Sequence, residues 1–124
     1  MAADLTLTAL ERDVLSLIVE SYPRHREQLA AQLANARIVS RRMSGVGFFL
    51  TFEGDDLSLT LANFELGDVH AELEGLENGA GFILFIRGGR IDGLQGYTYG
   101  EHWPAQEHAR RVYFEKVRRY PKSN

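Results

Sequence analysis

"RIVSRRMSGVGFFLTFE", residues 37–53, is where the hydrophobic pattern of this chain changes from helical to alternating. Ile38 to Met43 and Val46 to Phe52 flank Ser44-Gly45, a pair with the turn chemistry of a hairpin. Val46, Phe48, Leu50 and Phe52 lie two residues apart, so in a strand they share a face and point toward a core. This stretch predicts the start of an antiparallel sheet.

Upstream the period is helical. Thr8 and Glu11 form an S/T-x-x-E capping box, whose side chains satisfy the free N–H groups of a helix start. Leu10, Val14, Leu17 and Ile18 then make one apolar stripe. Pro23 suits the first turn of a second helix, where no N–H bond is lost. Leu29, Leu33 and Ala36 line its buried side, and the break near Ser21 and Tyr22 makes a helical hairpin.

Downstream, Leu57, Leu59 and Leu61 alternate after the acidic turn Gly54-Asp55-Asp56. Val69, Ala71 and Leu73 alternate again, with Asp68, His70 and Glu72 on the other face. Phe82 to Ile86 is apolar on both faces, which suits a central strand. Gly88-Gly89 turns the chain into Arg90 to Tyr99 and sets Arg87 opposite Arg90. A bulge at Gly93 would let Ile91 and Leu94 both face inward and leave Tyr97 and Tyr99 together on the opposite face. A brief helical turn after Pro104 and a strand near 111–117 complete the reading, and Pro121 to Asn124 reads as a loose end. Two helices followed by hairpin-linked strands predict an α+β fold. Its N-terminal helical hairpin packs on one face of an antiparallel sheet of about five or six strands, in a single domain over residues 1–124.

Composition narrows the function classes. The chain is 44% apolar and 25% charged, as in ordinary soluble domains, and it contains no cysteine. Disulfides, thiolate metal sites and a cysteine nucleophile are thereby excluded. The start, MAADLTL, lacks a signal-peptide pattern, and the apolar run FILFI is far short of the roughly 20 residues of a membrane span. The expectation is a cytoplasmic protein with no membrane partner. No Lys or Arg occurs between Arg42 and Arg87, a stretch holding Glu53, Asp55, Asp56, Glu65, Asp68, Glu72, Glu74 and Glu77. Arg110, Arg111, Lys116, Arg118, Arg119 and Lys122 follow near the C-terminus. The two sets either neutralise each other as solvated faces or steer charged partners. Aromatics interleave with the C-terminal arginines as in single-strand binders, but the net charge of −3 and the acidic stretch argue against nucleic acid.

Motifs for chemistry are sparse. The glycines form neither G-x-x-x-x-G-K-[ST] nor G-x-G-x-x-G, and no G-x-S-x-G elbow occurs, so no cofactor is expected. His102, His108, Glu101 and Glu107 lack H-E-x-x-H spacing. Asp68, His70 and Glu72 are weak metal candidates, since one strand face would align them just as it aligns solvated side chains. No metal is expected.

The run "GFILFIRGGRIDGLQGYTYGEHWP", Gly81 to Pro104, resembles the C-terminal motif of a group of small uncharacterised bacterial proteins. Their pattern is roughly G-F-x-L-F-I, a glycine turn, then L-E-G-Y-T-Y-G-E-x-W-P. Gln95 stands where that pattern has glutamate. The resemblance implies no activity. Within it, Tyr97, Tyr99, Glu101, His102 and Trp103 form a candidate binding patch, since Tyr and Trp are favoured interface anchors. The chain therefore reads as a non-enzymatic module that binds another protein, with its acidic stretch suited to neutralising a basic partner; a homo-oligomer is also open. The alternative is a small enzyme or metal-binding protein using Glu101, His102 and His70.

Overall fold

A computed structural model describes residues 6–54 and 63–116. The first helix, α1 (Ala9–Ser21), begins with the capping box its sequence announces. Thr8 Oγ1 accepts from the Glu11 N–H at 3.2 Å, and the Glu11 carboxylate accepts from the Thr8 N–H at 2.9 Å. Leu10, Val14, Leu15, Ile18 and Val19 are buried, and Leu17 packs against them half-buried. Pro23 opens a 3-10 turn, Pro23–His25, from which α2 (Arg26–Asn35) continues. That second helix is thinly anchored. It buries Leu29 and Gln32, while Leu33 is half-buried and Ala36 lies past its end. Gln32 ties the helix to a hairpin, donating through Nε2 to the Gly89 carbonyl (3.4 Å) and accepting from the Ile91 N–H (3.5 Å).

Six strands follow: β1 (Arg37–Met43), β2 (Gly47–Glu53), β3 (Phe64–Leu73), β4 (Ala80–Arg87), β5 (Arg90–Thr98) and β6 (Ala109–Phe114). They form one antiparallel sheet in the order β1-β2-β5-β4-β3-β6, so β4 and β5 are central and β1 and β6 are edges. Both helices lie on one face, α1 over β3, β4 and β6 and α2 over β5. Phe48, Leu50 and Phe52 from β2 meet Leu66, Val69, Phe82, Leu84, Ile86, Ile91 and Leu94 beneath the helices. Each such side chain contributes about 1.5–3 kcal/mol by leaving water, which makes this layer the main source of stability. The predicted α+β architecture, with helices packed on an antiparallel sheet, is present.

Register explains the details. Arg87 pairs with Arg90 across the Gly88-Gly89 turn. In β5 the bulge falls at Asp92 rather than Gly93, because Phe85 opposes Gly93 while Ile86 opposes Ile91. Ile91 and Leu94 are both buried as expected. A second bulge, in β3, places Gly67 and Asp68 between the pairs Leu66–Leu84 and Val69–Phe82. Asp68 adopts φ 66°, the left-handed region that aspartate tolerates better than most residues.

Two expectations need correction or restriction. The helical turn after Pro104 does not form, and the last described strand starts at Ala109, not 111. Side chains and backbone of that segment are engaged elsewhere: the Trp103 indole N–H donates to Glu107 at 3.0 Å, and the His108 carbonyl accepts from the Glu74 N–H at 2.9 Å. Pairing with β3 then extends the chain, since an edge ladder satisfies more backbone groups than an isolated turn. The expected strand of Leu57, Leu59 and Leu61 lies outside the described residues, as does everything beyond Lys116.

Candidate functional site

The face of the sheet turned away from the helices departs from the usual polar pattern. Period-two alternation puts every second residue there. In the three central strands these are Phe49 and Thr51 of β2, Gln95 and Tyr97 of β5, and Ile83 and Phe85 of β4. A sheet covered on one side normally carries polar residues on the other. Here the central positions are aromatic and aliphatic. Phe49, Ile83, Phe85 and Tyr97 are each half-buried, and Tyr99 beyond the end of β5 is 53% exposed. No helix or strand among the described residues lies over them.

Glycines let these rings lie flat. Phe49 pairs with Gln95 and leans over Gly93, where a Cβ would sit 2.6 Å from the Phe49 Cζ and 2.7 Å from the Leu50 carbonyl oxygen. Tyr97 lies over Gly81, whose missing side chain is occupied by the tyrosine ring. The rings continue across the sheet: Phe49 and Phe85 have centroids 5.8 Å apart, and Tyr97 meets Tyr99 edge-on at 5.7 Å. Further along, Tyr113 of β6 packs on the His70 ring at 5.5 Å. Such pairs hold the rings in fixed orientations.

Charges frame the apolar centre in pairs. Arg87 lies over the Phe85 ring (5.2 Å) and 3.8 Å from Glu65; Arg111 lies over the Tyr113 ring (4.1 Å) and 3.5 Å from Glu72. Arg42 sits beside Phe49 in the register of β1 and β2. Elsewhere Glu53 meets Arg37, and Glu74 lies 3.9 Å from His108. Four of the eight acids of the cation-free stretch thus have basic neighbours within the fold. Exposed pairs of this kind add little stability, about 0–1 kcal/mol each.

The patch expected from sequence is divided by the fold. Tyr97 and Tyr99 lie on the uncovered face. Gly100, at φ 89°, turns the chain, and Trp103 goes to the helix side instead. Its ring packs edge-on against Phe48 (5.2 Å) and Phe82 (6.2 Å), and its backbone N–H donates to the Gly45 carbonyl at 2.8 Å. Trp103 closes one end of the core. Glu101 is a latch, its carboxylate accepting the N–H groups of Glu77 (2.9 Å) and Asn78 (3.1 Å). Its own N–H bonds to Thr98 Oγ1 at 3.1 Å, and its carbonyl accepts from the same hydroxyl. Residues 99–108 carry the chain from β5 past β4 and β3 to the far edge, and these bonds hold that crossover against the β3–β4 turn. His102 is exposed beside them.

Asp68, His70 and Glu72 do not converge. Asp68 sits in the β3 bulge, His70 donates through Nε2 to the Glu115 carbonyl (3.1 Å), and Glu72 faces Arg111. Among the described residues no group of three or more His, Asp or Glu side chains is placed to hold a metal ion. Sequence reasoning missed Phe49, Ile83 and Phe85 as surface residues. The signal was Phe82 to Ile86, apolar on both faces, which reads alike whether the second face is covered or not.

Fold and site together define a two-layer α+β domain with one aromatic sheet face that none of the described helices or strands covers. Comparison with protein families, with curated proteins and with solved structures finds no match for this chain. No helix among the described residues is long and apolar enough to cross a membrane.

Proposed function

We propose that this chain is a non-enzymatic protein-binding module whose contact surface is the uncovered sheet face around Phe49, Ile83, Phe85 and Tyr97. The observation that carries this reading is the contiguous apolar centre on a face no described element covers. Contiguous exposed apolar patches rimmed by polar residues mark interaction sites. The aromatic centre and arginine rim also match the anchors that dominate binding energy. Neutralisation of a basic partner by charge alone receives less support, because Glu53, Glu65, Glu72 and Glu74 already have basic neighbours. The rival enzymatic reading loses its acid, since both Glu101 oxygens accept backbone N–H groups in a latch.

Photo-crosslinking in cells tests the reading. A benzoylphenylalanine placed at position 49 or 85 should yield discrete protein adducts. The same probe at Phe64, 48% exposed and on the helix side of the sheet, should not. Equal adducts from all three positions, or none from 49 and 85, would remove the basis for this function.

A further inference from the structure

The turn between β3 and β4 ends in Asn78-Gly79, a dipeptide with a chemistry of its own. We propose that Asn78 is a self-modifying site, which converts in water to aspartate and isoaspartate and thereby loosens the Glu101 latch. The Gly79 backbone nitrogen loses its proton to hydroxide and attacks the carbonyl carbon of the Asn78 side chain. A C–N bond forms, the carboxamide nitrogen leaves as ammonia, and a five-membered succinimide remains. One water then hydrolyses either of the two C–N bonds of that ring. Cleavage of one leaves aspartate in a normal main chain. Cleavage of the other leaves isoaspartate, with the main chain routed through the side-chain carbon.

The fold singles out this asparagine. Three asparagines lie among the described residues. The Asn35 carboxamide donates through Nδ2 to the Ala31 carbonyl at 2.8 Å, and the Asn63 carboxamide accepts from the Gly88 N–H at 3.0 Å. Asn78 is exposed, and among the described residues its side chain has no hydrogen-bond partner, so its carboxamide can swing toward the next nitrogen. The following residue matters as much. Ala36 and Phe64 carry a Cβ that crowds the attacking nitrogen, whereas Gly79 carries none. Glycine is required at 79 for a separate reason: its φ is 71°, and a Cβ would lie 2.8 Å from the Ala71 carbonyl oxygen. The residue that the turn demands is also the one that exposes Asn78 to attack.

The consequence falls on the crossover. The Glu101 carboxylate accepts the N–H groups of Glu77 and Asn78. Conversion sets a second carboxylate beside it, and like charges in contact repel. Isoaspartate also adds a main-chain carbon next to Gly79, where the Ala71 carbonyl leaves no room.

Ageing the intact chain tests this. Purified protein is held for several weeks in warm, mildly alkaline buffer, and its peptides are read by mass spectrometry with electron-transfer fragmentation, which separates isoaspartate from aspartate. Residue 78 should gain about one mass unit at least about tenfold faster than residues 35 and 63, whose neighbours carry a Cβ. The converted chain, separated by its added charge, should lose about tenfold in exchange protection at the Glu77 and Asn78 amides. In Asn78→Gln the ring would have six members and close far more slowly, so this variant should keep both its mass and its protection. An Asn78 that stays intact, or converts no faster than Asn35 and Asn63, overturns the proposal. Converted chain with both latch amides still protected overturns it too, as does an aged Asn78→Gln chain that loses protection equally.

Discussion

Replacing Arg41 with methionine should be among the most destabilising single changes in this protein, and replacing its partner as well should recover part of the loss. Glu11 is fully buried and sits in the first turn of α1. Arg41 answers it from edge strand β1 with two hydrogen bonds, one through Nη1 and one through Nη2 at 2.9 Å. The same guanidinium donates to the Thr6 carbonyl at 2.9 Å, and the bond to Glu11 raises the arginine pKa above its ordinary value. Arg41→Met keeps the apolar stem but leaves the carboxylate with the Thr8 N–H as its main donor. Removing one member of a buried pair costs about 3–5 kcal/mol. Because Arg41 keeps partial contact with water, about 3 kcal/mol is expected, or roughly 9–15 °C in Tm for a domain of this size. In the double variant Glu11→Leu with Arg41→Met no charge is stranded. The remaining cost is the lost capping interaction, about 1 kcal/mol. Urea denaturation of wild type, both single variants and the double variant gives the coupling energy directly. A single-variant loss below about 1 kcal/mol, or a double variant worse than the sum of the singles, would refute the claim that this pair pins β1 to α1.

Four further outcomes follow from the same structure. Gly93→Ala should destabilise by about 1–3 kcal/mol, because its Cβ meets backbone at Leu50 as well as Phe49. In Gly81→Ala the nearest atoms to the new Cβ are those of the Tyr97 side chain, which can swing aside; it should cost less than Gly93→Ala, as denaturation of the two variants would show. Glu101→Ala should lower stability by about 1–2 kcal/mol by freeing the Glu77 and Asn78 N–H groups, with hydrogen exchange rising at those two amides before anywhere else. Finally, burial and the charge of Asp68 push the Tyr22 pKa above its usual 10.0. The folded state therefore holds that proton more tightly than the unfolded state. The associated stability is complete below pH 10 and is lost as pH rises through the folded pKa. A Tyr22→Phe variant should show a shallower alkaline fall in Tm.

Local signals carried well from sequence to fold. The Thr8–Glu11 box formed in both directions, and the Arg87–Arg90 turn and the central position of Phe82 to Ile86 appeared in the sheet as their patterns imply. These features depend on residues close in sequence or on period alone. What was not legible depended on distant partners. Nothing around Glu11 announces Arg41, thirty residues away, and nothing near Trp103 shows that Phe48 and Phe82 will receive it. The apparent patch Tyr97 to Trp103 was contiguous in sequence, but the left-handed Gly100 sends its two halves to opposite sides of the sheet. Conversely, Phe49 and Phe85 are 36 positions apart and meet only because β5 lies between their strands. The helical turn expected after Pro104 gave way to the pull of an edge ladder, a tertiary choice that local propensity does not encode.

The central claim is that the uncovered sheet face is a surface held in reserve for a protein partner. Hydroxyl-radical labelling read residue by residue tests it most directly, on the purified chain and on the chain in cells. Phe49, Ile83, Phe85 and Tyr97 should be oxidised readily in the purified chain and protected together in cells, while Phe64 and Met43 on the helix side stay equally reactive throughout. Labelling of the four residues that is the same in cells contradicts the binding reading, and four residues already inert in the purified chain contradict the open face itself.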